Sequence, residues 1–103
     1  MEKEERYVIN GGERIPYDKK ALEESIYEAA KNVRKGFRIR AGEFADLVTN
    51  FLDAHYWNFG QIPNMSNVQD VTESVLEASG YQFIARSYSA LREQKLREPK
   101  QEK

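Results

Sequence analysis

Residues 6–18, RYVINGGERIPYD, limit the possible folds more than any other part of this chain. Tyr7 and Ile9 alternate with Val8, so the first two face one way and the third the other. Ile15 and Tyr17 alternate in the same manner. Between the two runs, Asn10-Gly11-Gly12 supplies the positive-φ positions that a tight hairpin demands. The spacing predicts a β-hairpin over 6–17. Pro16 has no N–H to donate, so the second strand is an edge or ends there.

Everything after the hairpin reads as helix. Asp18 is a fitting N-cap for a first helix whose apolar stripe is Leu22, Ile26, Ala29 and Val33. Lys31, Arg34 and Lys35 crowd its last turns, where cations suit the macrodipole, and Gly36 suits the C′ position. A second helix carries Phe44, Leu47, Val48, Phe51 and Leu52 at helical spacing. The segment HYWNFGQIP interrupts the pattern. Ser66-x-x-Gln69 has the form of a capping box for a third helix with the face Val68, Val71, Val75 and Ala78, ended by Gly80. A fourth helix places Phe83, Ile84, Ser87, Tyr88 and Leu91 on one side. The expected fold class is α+β, mostly α, with an N-terminal hairpin packed on a four-helix cluster. Its expected core is Leu22, Ile26, Phe44, Leu47, Phe51, Val71, Val75, Ile84 and Leu91.

A chain of 103 residues supports one such core and not two. The folded unit is expected over 6–97, with residues 1–5 frayed and 98–103 disordered, because both ends are charged and poor in apolar residues. With 16 Lys and Arg against 17 Asp and Glu, the formal net charge is −1, which argues against a dedicated nucleic-acid binder. Lys31, Arg34, Lys35, Arg38 and Arg40 form a local basic run, read as a solvated helix end. Its sharper alternative, a phosphate-tracking patch, would show steep salt dependence. There are no cysteines and only His55 among histidines, so neither disulfides nor thiolate or histidine-rich metal sites are available. No apolar run reaches the ~20 residues needed to span a bilayer. The start MEKEER is unlike a signal peptide, so the expected compartment is the cytoplasm. Asp46, Asp53, Asp70, Glu73 and Glu77 come with no nucleophile or metal ligand, and no enzymatic activity is expected.

Several residues resemble the ATP-cone, a domain that regulates ribonucleotide reductases and also occurs in the transcriptional repressor of their genes. They are Gly12, Ile15-Pro16-Tyr17-Asp18 and Leu22 at the hairpin exit. The second half adds Ile62-Pro63, Val68-Gln69-Asp70, Glu73, Leu76, Gly80-Tyr81, Ala85-Arg86, Tyr88 and Arg92. The resemblance spans Tyr7 to Arg92 and rests on joint order and spacing, since each piece alone is common.

The resemblance implies a regulatory domain that binds ATP or dATP, with or without magnesium, and reports the nucleotide to a ribonucleotide-reductase-type partner or through self-association. It implies a nucleotide site at Asn10, Gly11, Gly12, Tyr17, Asp18, Lys20, Leu22, Gln69 and Arg92. Gln69 would meet the base, and Leu22 and Tyr17 would pack on a ring. The family commonly has Lys-Arg where this chain has Ile9-Asn10, a lysine at Ala21 and a basic residue at Glu24. Charge-assisted hydrogen bonds are worth ~1.5–3 kcal/mol each, so losing three lowers affinity about a thousandfold. Lys20 and Arg92 are the chief cations left, with Lys19 and Arg14 nearby. The turn can still offer backbone amides to phosphate. The alternative is a degenerate cone that keeps protein contacts and has lost its ligand. The HYWNF cluster, expected to pack at the end of the second helix, would supply apolar area for self-contact.

Overall fold

A computed structural model describes residues 6–33 and 40–97. Strands β1 (Tyr7–Asn10) and β2 (Glu13–Pro16) pair antiparallel, with Val8 opposite Ile15 and Ile9 opposite Arg14. Gly11 and Gly12 form the turn at φ 62° and 85°. Nothing crowds either position, so a side chain there would be opposed by the left-handed backbone alone. Val8 faces the core. The other edge of β1 is met by the chain before the third helix: the Ile9 N–H donates to the Pro63 carbonyl at 3.0 Å, in a parallel bridge with Asn64. The hairpin is tied down at its base as well, where the Tyr17 N–H donates to the Arg6 carbonyl at 2.8 Å.

Four helices follow: α1 (Lys19–Val33), α2 (Ala41–His55), α3 (Met65–Ala78) and α4 (Gln82–Arg97). Asp18 caps α1 as expected, its carboxylate accepting the Ala21 N–H at 3.1 Å. A single 3₁₀ turn, Trp57–Phe59, links α2 to the approach to α3. At the end of α3, Gly80 takes φ 91°, the Gly80 N–H donates to Glu77 and the Tyr81 N–H reaches back to Leu76. That pair of bonds stops one helix and lets the next begin at once. The expected ends at 1–5 and 98–103, the Gly36 stop and most of the basic run lie outside the described residues.

The core differs in phase from the expected one on several helices. Leu22, Ile26, Phe44 and Ile84 are buried as expected, and Val71, Val75 and Leu91 pack at its margin. Leu47 and Phe51 are 49% and 42% exposed; the buried face of α2 is Ala41, Phe44, Ala45, Val48 and Leu52. Alanines also fill the interior at 29, 30 and 85. Small residues let helices approach closely, and a search for large apolar side chains passes over them. Leu47→Ala therefore opens no core cavity. The ~2–5 kcal/mol expected for a buried leucine belongs to Leu52 or Leu76.

Phe83 on α4 is likewise exposed, as are Val33 and Ala78 at the ends of their stripes. On α3 the buried line is Val68, Thr72 and Leu76. Thr72 is tolerated there because its hydroxyl is satisfied, donating to the Val68 carbonyl at 2.8 Å. The capping box also differs. Asn64 is the N-cap and Asn67 its reciprocal partner, with bonds of 2.8 and 3.0 Å, while Ser66 lies inside the helix. Asparagine caps as well as serine does, and here it comes directly after Pro63. The HYWNF cluster splits: Tyr56 and Trp57 pack on the core margin, whereas Phe59 is 70% exposed. Among the described residues no helix is long and apolar enough to cross a membrane.

Candidate functional site: a groove between the hairpin and three helices

The hairpin leaves a space where it turns into α1, opposite the first turns of α3. A cavity of about 260 Å³ occupies it, walled by Tyr17, Leu22, Met65, Val68, Gln69 and Tyr88. A second cavity of about 480 Å³ continues along α1 and α4, with Glu24, Tyr27, Glu28, Leu91 and Arg92 in its wall. The two share Ala21, Ser25, Gln69 and Tyr88 and so form one groove. Its size suits a small organic ligand.

Each wall follows from local structure. Because Asp18 caps α1, Ala21, Ser25 and Glu28 recur at helical spacing on the face beside Leu22. The Ser25 hydroxyl is turned back to the Ala21 carbonyl at 3.1 Å. Because Asn64 and Asn67 supply the cap of α3, Gln69 has no capping role and stands half-buried between the two cavities. Tyr88 is buried, and desolvation pushes its phenol pKa up against a hydrogen bond with Thr72 that works to lower it. Tyr17 behaves alike. Burial raises its pKa, while its hydroxyl shares a 2.8 Å hydrogen bond with Thr49 on α2. Tyr17 also packs on Trp57, with ring centroids 4.9 Å apart. The indole N–H donates to the Tyr7 carbonyl at 2.9 Å, and Arg6 lies over the indole while forking onto Asp53 at 2.9 Å twice. The hairpin side of the groove is thus held rigidly.

Of the nine residues expected to form a nucleotide site, Tyr17, Asp18, Leu22, Gln69 and Arg92 come together along this groove. Asn10, Gly11 and Gly12 are exposed at the hairpin tip and are not among the residues of its walls. Lys20 lines an adjoining cavity, of about 380 Å³, with Glu23, Arg40 and Gly42, which meets the groove at Glu24 and Tyr27. The cations are committed elsewhere. Arg92 donates to Glu73 at 2.6 Å and Asp70 at 3.1 Å. Its partial desolvation works to lower the guanidinium pKa, but these two bonds prevail and raise it. Lys19 bonds to Asp46, and Arg14 lies over the Tyr7 ring at 4.8 Å.

Tyr88, Met65, Ser25 and Tyr27 were not expected in a site. The recurrence of 21, 25 and 28 after the Asp18 cap was the signal for the α1 wall; nothing comparable marked Met65. Comparison with models of known families gives no match, and comparison with curated proteins gives none either.

Proposed function

We propose that this chain is a regulatory binding domain of the ATP-cone type, not a catalyst, taking a purine nucleotide weakly and coupling it to a ribonucleotide-reductase-type partner. One observation supports the reading: five of the nine residues that the resemblance implies, Tyr17, Asp18, Leu22, Gln69 and Arg92, line one groove between the hairpin exit and the first turns of α1 and α3. A base between Leu22 and Tyr88, with its edge toward the Gln69 amide, uses the apolar floor and the amide's paired donor and acceptor. Regulation then requires the nucleotide to favour one arrangement of the helix surface over another.

Calorimetric titration with ATP, dATP and ADP in magnesium tests it. A dissociation constant of ~0.1–1 mM is expected, about a thousandfold weaker than a site with its full set of cations. Gln69→Ala should weaken the binding, and joint replacement of Ile9 by lysine and Asn10 by arginine should tighten it. A second reading, a cone that has lost its ligand and serves protein contacts, is favoured by the pairing of Arg92 with Asp70 and Glu73. The exposure of Leu47, Phe51, Phe59 and Phe83 also supports it. No binding by either the parent chain or the double variant would exclude the nucleotide reading in favour of this one.

A further inference from the structure

We infer that the groove selects for the nucleoside and against its phosphates, so that adenosine binds at least as tightly as ATP. The inference rests on the purine reading of the groove, and its basis is the sign of the charges along the walls. Asp18, Glu24 and Glu28 contribute carboxylates. Asp18 accepts a hydrogen bond from the Ala21 amide, which holds its carboxylate in place. Glu28 is matched by Lys31 at 3.7 Å, an exposed pair of long side chains that screens it weakly.

On the opposite wall the cation is Arg92, and its side chain is 17% exposed with one terminal nitrogen already shared by Glu73 and Asp70. A phosphate approaching Arg92 must displace one of these carboxylates or stand beside them. Either way it gains less than it would from a guanidinium in water. Lys20 and Arg40 line an adjoining cavity that meets the groove at Glu24 and Tyr27, but they are not themselves among the groove's wall residues, and Glu23 stands beside them.

The polar groups suited to a neutral ligand are present instead. Gln69 offers an amide, Tyr88 and Tyr17 offer ring faces, and Leu22, Val68 and Met65 offer apolar contact. Base and ribose therefore find partners, while each added phosphate meets like charge. Salt gives an independent signature. Ordinary phosphate binding weakens as ionic strength rises, because attraction is screened. Here screening relieves repulsion, so ATP affinity holds or improves with added salt.

The experiment is ligand-observed NMR titration of the intact chain with adenosine, AMP and ATP, without divalent cations, at low and at physiological ionic strength. The expected order is adenosine tightest and ATP weakest, with ATP about threefold or more below adenosine at low salt and the gap narrowing at higher salt. Glu24→Gln with Glu28→Gln should tighten ATP by about threefold to tenfold relative to adenosine. ATP binding more tightly than adenosine at low salt would overturn the inference and leave the purine reading standing. Binding of none of the three at millimolar ligand would overturn that reading and the inference with it.

Discussion

Trp57→Phe is the sharpest probe of how the hairpin is held. The substitution keeps an aromatic ring against Tyr17, now 4.9 Å away centroid to centroid, and removes the indole N–H that donates to the Tyr7 carbonyl at 2.9 Å. It also weakens the stacking of the Arg6 guanidinium, 5.7 Å from the indole centroid. A net hydrogen bond is worth ~0.5–1.5 kcal/mol and a partly exposed cation–π contact ~0.5–1 kcal/mol. The expected loss is ~1–2.5 kcal/mol, or a fall in Tm of ~4–20 °C for a domain of this size. Trp57 is the sole tryptophan, so unfolding is followed by far-ultraviolet circular dichroism in urea and not by fluorescence. Hydrogen exchange localises the effect: the Ile9 amide, bonded to Pro63, and the Tyr17 amide, bonded to Arg6, should exchange faster than amides of α2. A loss below ~0.5 kcal/mol, within the usual scatter of surface substitutions, would refute this account of the anchor.

Two further outcomes follow from the structure. Asn64→Ala removes the cap of α3 and should destabilise by ~1 kcal/mol, whereas Ser66→Ala should stay within ~0.5 kcal/mol, both read by denaturant titration. Alkaline stability should fall once the pH passes 10.0, the ordinary phenol pKa, because Tyr17 and Tyr88 hold their protons longer folded than unfolded. Their stabilisation is complete below that value and is lost as pH climbs through the raised folded values, so Tyr88→Phe should flatten the decline.

What could be read from residues alone follows the range of the interactions involved. The hairpin, the Asp18 cap and the Gly80 stop depend on neighbours within a few positions, and each stands as expected. The third helix start was ambiguous because PNMSNVQ contains two overlapping boxes, and choosing between them depends on where Pro63 meets Ile9. The phase of α2 was lost because Leu47 and Phe51 outweigh Ala41 and Ala45 on any hydropathy scale, although the alanines are the buried ones. For the groove, Gln69, Tyr17 and Leu22 were singled out only through the resemblance to the ATP-cone. The neutralisation of Arg92 was not, since Asp70 and Glu73 come from another helix, 22 and 19 residues away.

The two edges of the hairpin have different fates, with a consequence for solubility. A bare strand edge is a template for pairing with another chain, and two-stranded ribbons are exposed to this hazard on both sides. Here β1 is occupied on its far side by Pro63 and Asn64. That leaves β2, which is four residues long, carries the opposite charges Glu13 and Arg14, and ends in a proline that has no N–H to offer. A second molecule approaching that edge finds a short, charged ladder that breaks at Pro16. Cross-strand polymerisation through the hairpin is disfavoured by the same proline that sends the chain on toward α1.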